Sequence, residues 1–106
     1  MKKKILVTGC AGFIGSRLSE ELLKIKKFKI YGIDNLNDYY DIRLKKKRLS
    51  NLKKNSNFKF YKFNLDSKKL LSKNFKRNNY DYVFNLFYMA SRNFKVKCQK
   101  VATLFW

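Results

Sequence analysis

Apolar residues change period repeatedly along this chain, and each change marks an element. Ile5, Leu6 and Val7 run unbroken, which predicts a strand over residues 4–8 buried on both faces. Over residues 13–26, Ile14, Leu18, Leu22 and Ile25 fall on one helical face, with Arg17, Glu20, Glu21 and Lys24 turned elsewhere. Residues 28–33 form a second apolar run ending at Asp34, and a loop rich in Asn and Asp fills 34–41. A basic helix is predicted over 42–54, with a narrow stripe of Leu44, Leu49 and Leu52 that leaves Lys45, Lys46, Lys47 and Arg48 in water. After a turn at 55–57, residues 58–63 alternate as a strand does. Asp66 or Ser67 caps a third helix carrying Leu70, Leu71 and Phe75, which Asn78 and Asn79 end. Tyr82, Val83, Phe84 and Leu86 mark a fourth strand over 81–87. Beyond it the pattern loosens. Val96, Val101, Leu104 and Phe105 make one poor helical face, and residues 87–106 are expected to be a divergent basic tail without an assignable element.

Strands alternating with helical crossovers imply an α/β fold: a parallel sheet with right-handed connections and helices on both faces. Four strands in the order 3-2-1-4 are expected, with the fourth left as an open edge. The 106 residues suffice for one domain, and a chain this short buries about two-thirds of its unfolded surface.

Charge adds less than its size suggests. Twenty-six Lys and Arg against seven Asp and Glu give +19, which invites a nucleic-acid partner. Yet the chain is rich in Lys, Asn, Phe, Ile and Tyr, with no Pro, three Ala and four Gly. That is the bias of A/T-rich codons, so nonspecific, salt-sensitive nucleic-acid binding is expected rather than a selected function. No run of about 18 apolar residues could span a membrane. The Met1-Lys2-Lys3-Lys4 start leads into glycines and reads as a strand, not a leader. Two cysteines, Cys10 and Cys98, suit a reduced cytoplasmic setting rather than a disulfide framework. With no histidine and no Cys/Asp/Glu cluster, no metal site is expected.

The chemistry lies in Gly9-x-x-Gly12-x-x-Gly15, set between the first strand and the first helix. Glycines there allow a tight turn and let a pyrophosphate come close to the backbone. The Phe13 and Ile14 amides open a helix, where the macrodipole favours an anion. Asp34 stands 19 residues past Gly15 at the end of the second strand. There a carboxylate accepts from both hydroxyls of an adenosine ribose and repels a 2′-phosphate, which predicts NAD rather than NADP.

Residues 8–16, Thr-Gly-Cys-Ala-Gly-Phe-Ile-Gly-Ser, resemble the nucleotide-binding motif of extended short-chain dehydrogenases/reductases, the NAD-dependent nucleotide-sugar epimerases and dehydratases. Residues 32–41, Gly-Ile-Asp-Asn-Leu-Asn-Asp-Tyr-Tyr-Asp, followed by Arg43-Leu44-Lys45 and Arg48-Leu49, resemble the UDP-glucuronate 4-epimerases among them. The resemblance covers residues 1–86 and implies the N-terminal part of a Rossmann fold. It implies that Gly9, Gly12, Phe13, Ile14 and Gly15 hold the pyrophosphate, that Asp34 and Asn35 hold the ribose, and that Asn64 and Leu65 bracket the adenine. Asn64 stands where the family has Asp, and its amide can both donate and accept. Tyr39 and Tyr40 read as packing residues at the base of the loop. Two departures follow. Phe87 and Tyr88 occupy positions of two small family alanines, and none of the seven tyrosines has Lys four residues on. The family's Tyr-x-x-x-Lys pair, whose tyrosinate takes the sugar proton, is thus missing, and no catalytic residue is assigned. The favoured expectation is an epimerase piece interrupted near residue 87, inactive alone, that would meet a nucleotide sugar only with the missing portion. The alternatives are a nucleotide-binding module acting with a partner chain, and a basic nucleic-acid-binding protein on the same fold.

Overall fold

The computed structural model describes residues 2–36, 42–64 and 66–86, and the backbone of 101–103. Strands β1 (Lys3–Thr8), β2 (Phe28–Asp34), β3 (Phe58–Lys62) and β4 (Tyr82–Asn85) alternate with helices α1 (Phe13–Leu23), α2 (Ile42–Lys53) and α3 (Lys68–Asn78). All strand pairs are parallel, in the order β3-β2-β1-β4-β5. The predicted 3-2-1-4 order holds, and a short strand β5 (Val101–Thr103) is added to it.

That addition corrects the expected open edge at strand four. Val83, Phe84 and Asn85 pair with Val101, Ala102 and Thr103, so β4 lies inside the sheet. β-Branched Val101 and Thr103 suit an extended pairing better than the loose helical face expected there. Phe87 and Tyr88, like Tyr39 and Tyr40, lie outside the described residues.

Strand periodicity splits the core into two layers. Ile5, Val7, Ile30 and Phe58 join Leu23, Leu49 and Leu52 on the face covered by α1 and α2. Leu6, Tyr31, Ile33 and Val83 join Leu71, Phe75 and Tyr80 on the face covered by α3. Each side chain fully buried this way contributes about 1.5–3 kcal/mol.

The helices depart from the sequence expectation in instructive ways. α1 buries Gly15, Ser16, Ser19 and Leu23; Leu18 and Leu22 flank that face, and Ile25 is exposed. Small residues bring the helix close to the sheet, and the Ser19 hydroxyl is satisfied by the Gly15 carbonyl at 2.7 Å. The helix stops at Leu23 rather than residue 26, because Lys24 and Ile25 donate three residues back, to Glu21 and Leu22. On α2, Leu49 and Leu52 are buried as the stripe predicts, but Leu44 is exposed and Lys45 is buried, the reverse of the expectation at those two positions. On α3, Leu70 is exposed, and Asn74 and Asn78 are buried with Leu71 and Phe75. Those amides are accommodated by Tyr80, whose hydroxyl donates to Asn74 Oδ1 and accepts from Asn78 Nδ2. Ser67 caps α3 by accepting from the Leu70 amide, and Asn79 ends it in the left-handed conformation at φ 52°.

Candidate functional site

β1 lies between β2 and β4, and the helices after β1 and β3 cover opposite faces of the sheet. The strand order thus reverses at the carboxyl ends of β1 and β4, the usual ligand position in an open α/β sheet. Thr8 ends β1 and Asn85 ends β4 in register with it. The Thr8 hydroxyl donates to Asn85 Oδ1 at 2.7 Å and accepts from the Leu86 amide at 3.0 Å. These bonds tie the ends of β1 and β4 together. Sequence reasoning did not single out Thr8; its signal was a hydroxyl closing an otherwise apolar strand.

The glycine loop rises directly from Thr8. Gly9 takes φ 70°, a left-handed conformation that L side chains rarely adopt. Its amide donates to the Ile33 carbonyl and its carbonyl accepts from the Gly12 amide, closing the turn. Cys10 points inward and is fully buried. It fills the space above Gly32, where a Cβ would come within 2.5 Å of the Cys10 sulfur. Gly12 is the N-cap of α1. The first helical bond runs from the Ser16 amide to the Gly12 carbonyl, so the Phe13, Ile14 and Gly15 amides have no acceptor inside the helix. The first turn has no acidic residue and Gly12 supplies no side-chain cap. This is the donor set a phosphate fits, with the positive dipole and no acidic residue in the first turn itself.

Asp34 lies at the end of β2, 4% exposed. Its Oδ2 accepts from the Ala11 amide at 3.0 Å and its Oδ1 from the Leu36 amide at 2.8 Å. The predicted ribose acceptor is therefore also a strut that holds the glycine loop to β2. Each carboxylate oxygen retains a further lone pair for a hydroxyl donor. Asn35 is half-buried beside it. Asn64 is exposed beyond β3, and its Oδ1 accepts from the Asp66 amide at 3.0 Å. Leu65 lies outside the described residues. The structure thus brings Gly9, Gly12, Phe13, Ile14, Gly15, Asp34 and Asn35 to the carboxyl ends of β1 and β2, with Asn64 following the neighbouring β3. Among the described residues, no group of three or more His, Cys, Asp or Glu could hold a metal. No helix there is long and apolar enough to cross a membrane.

The profile of the GDP-mannose 4,6 dehydratase family matches residues 6–91. The chain belongs to this family. It is 58% identical over 60 residues to a UDP-glucuronate 4-epimerase of Thermodesulfobacterium geofontis, a match covering 57% of this chain and 18% of that protein. It is 42% identical over 94 residues to Protein CapI of Staphylococcus aureus, covering 89% of this chain and 28% of that protein. Among solved structures, UDP-glucuronic acid 4-epimerase from Bacillus cereus, in complex with UDP-glucuronic acid and NAD, superposes with a TM-score of 0.80 at 28% identity. That likeness covers 94% of this chain and 39% of the neighbour. The chain therefore spans well under half the length of these family members, and the part it spans is epimerase/dehydratase-like.

Cys10 shows how dry this family loop is from below. Burial pushes its thiol well above the usual range, and the nearby Asp34 carboxylate adds to the shift. The folded state holds this proton more tightly than the unfolded chain. Its contribution to stability is complete below the ordinary value of 9.0 and shrinks as pH rises above it. Wild type is expected to lose stability relative to C10A above that pH, by about 1.4 kcal/mol per pH unit. Paired thermal melts from neutral to alkaline pH would read it; parallel curves would show that the thiol is not protected.

Proposed function

We propose that this chain binds NAD at the carboxyl ends of β1 and β4, and that it does not epimerise a nucleotide sugar by itself. The observation that carries the reading is the uncapped, acid-free first turn of α1, aimed over glycines and flanked by Asp34. In this reading Gly9, Gly12, Phe13, Ile14 and Gly15 receive the pyrophosphate. Asp34 and Asn35 receive the adenosine ribose, and Asn64 and Leu65 border the adenine. The carboxylate favours a free 2′-hydroxyl over a 2′-phosphate, hence NAD over NADP. Its proximity to the solved epimerase in complex with NAD supports the same cofactor.

Catalysis needs more than the cofactor. Hydride transfer to NAD from a sugar carbon requires a base for the hydroxyl proton. No tyrosine in the chain is followed four residues later by Lys, the pair that would lower a phenol's pKa for that task. The two roles separate cleanly: residues for holding NAD are present, and the base is not. UDP-glucuronate, the substrate in relatives' names, would therefore be turned over only where another stretch of protein supplies the base and the sugar pocket. A free, buried cysteine among the described residues suits a reducing cytoplasm.

Thermal melts with increasing NAD test the reading. Saturation at about 100 times Kd should stabilise the chain by about 2.7 kcal/mol, with a smaller gain from NADP. An unchanged Tm at millimolar NAD would sink it.

A further inference from the structure

Ala11 is held from both sides. Its amide donates to Asp34 Oδ2, while its carbonyl accepts from Arg48 Nη1 at 3.4 Å. Arg48 comes from α2, and its guanidinium also lies over the Phe13 ring, 5.7 Å from the centroid. Phe13 is the first residue of α1 and is 78% exposed. A permanent cation from a different helix therefore stands against Phe13, the first residue of α1, and against the loop that leads into it. The outward cations of α1 behave differently. Arg17 and Lys24 are matched by Glu20 and Glu21 at 3.0–3.5 Å. Arg48 meets a carbonyl and an aromatic face, contacts that orient the guanidinium and leave its charge intact. One of its five N–H donors is used on Ala11, which leaves others, and the charge, for a phosphate oxygen.

We infer that Arg48 is a second anion-binding element of the loop: it latches Ala11 in place and adds its charge to the α1 N-terminus for the ligand's diphosphate. The sequence pattern concealed this, because Arg48 follows three lysines and reads as one more solvated cation of a basic helix. The structure separates them. Lys46 and Lys47 are exposed, whereas Arg48 is half-buried and turned to the loop. The inference rests on the dinucleotide reading above and adds a residue that the glycine motif does not contain.

Calorimetric titration of the full chain with adenosine, ADP and NAD tests it, at low and moderate salt. R48Q should weaken ADP and NAD about tenfold, the loss of one charge-assisted contact, and leave adenosine within about twofold. The salt dependence of ADP binding should become shallower in R48Q. K46Q removes the same charge from an exposed position of α2 and should bind all three ligands as wild type does. R48K keeps the charge without the planar face, so it should retain most of the ADP affinity. Equal losses for adenosine and ADP in R48Q, or loss of ADP binding in a folded R48K, would reduce Arg48 to a structural latch and overturn the inference. So would ADP binding unchanged in R48Q. Should R48Q fail to fold, R48K decides alone. Wild type that binds none of the ligands would overturn the dinucleotide reading itself, and this inference with it.

Discussion

Replacing Gly15 with alanine is expected to cost about 3 kcal/mol and to abolish the stabilisation by NAD. A Cβ built at Gly15 falls 2.0 Å from the Gly9 carbonyl oxygen, 2.8 Å from its carbon and 3.0 Å from the Cys10 Cα. All three are backbone atoms, so no side chain can swing away to make room. Either α1 retreats from the loop or Gly9 leaves its turn. The first opens the packing of Ser19 and Leu23 below it; the second breaks the bonds from Gly9 to Ile33 and from Gly12 to Gly9. Overpacking of this kind costs about 1–3 kcal/mol, more where backbone must move. For a domain of this size that lowers Tm by roughly 10–20 °C. Gly12→Ala makes a graded comparison. Its Cβ would meet the Gly9 oxygen at 3.3 Å, so the melt should shift far less while NAD still suffers from the added methyl at the helix entrance. A G15A chain that melts as wild type and still responds to NAD would show that the close helix–loop contact is dispensable.

Much of this architecture could be read from the chain because the strong signals were local. Continuous apolar runs gave β1 and β2, alternation gave β3, and helical crossovers forced a parallel sheet in the 3-2-1-4 order. Glycine spacing located the loop, and the distance to Asp34 located its partner on β2. The misreadings share one cause: burial is decided by what an element meets, not by its own periodicity. α1 approaches the sheet through Gly15 and Ser19, so the larger Ile25 is left outside. α2 buries Lys45 rather than Leu44, and α3 buries two asparagines because Tyr80 is there to bond them. β5 was missed because three residues carry too little pattern to be seen before β4 offers them an edge. In the site, glycines and Asp34 were legible, whereas Thr8 and Arg48 act through contacts 77 and 37 residues distant in sequence.

Asp34→Asn separates the two roles that the carboxylate combines. Both oxygens accept from buried backbone amides, Ala11 on the loop and Leu36 two residues on. Asparagine offers one carbonyl oxygen and turns an NH2 toward the other amide, so one donor meets a donor. An unsatisfied buried amide costs about 1–3 kcal/mol. Leu36 adds to this, since it is a buried non-glycine residue at φ 54°. The Asp34 bond helps to hold it in that disfavoured conformation. The loss should therefore be about 2–4 kcal/mol, read as a Tm decrease without ligand. The cofactor comparison then isolates the second role. If the carboxylate only braces the loop, D34N should weaken NAD and NADP by the same factor, because both use the same pyrophosphate cradle. If it also receives the ribose hydroxyls and repels a 2′-phosphate, NAD should fall about tenfold while NADP holds or improves. The ratio of the two affinities thus removes the common structural damage. A ratio unchanged from wild type would leave Asp34 as a strut alone and place cofactor choice elsewhere in the site.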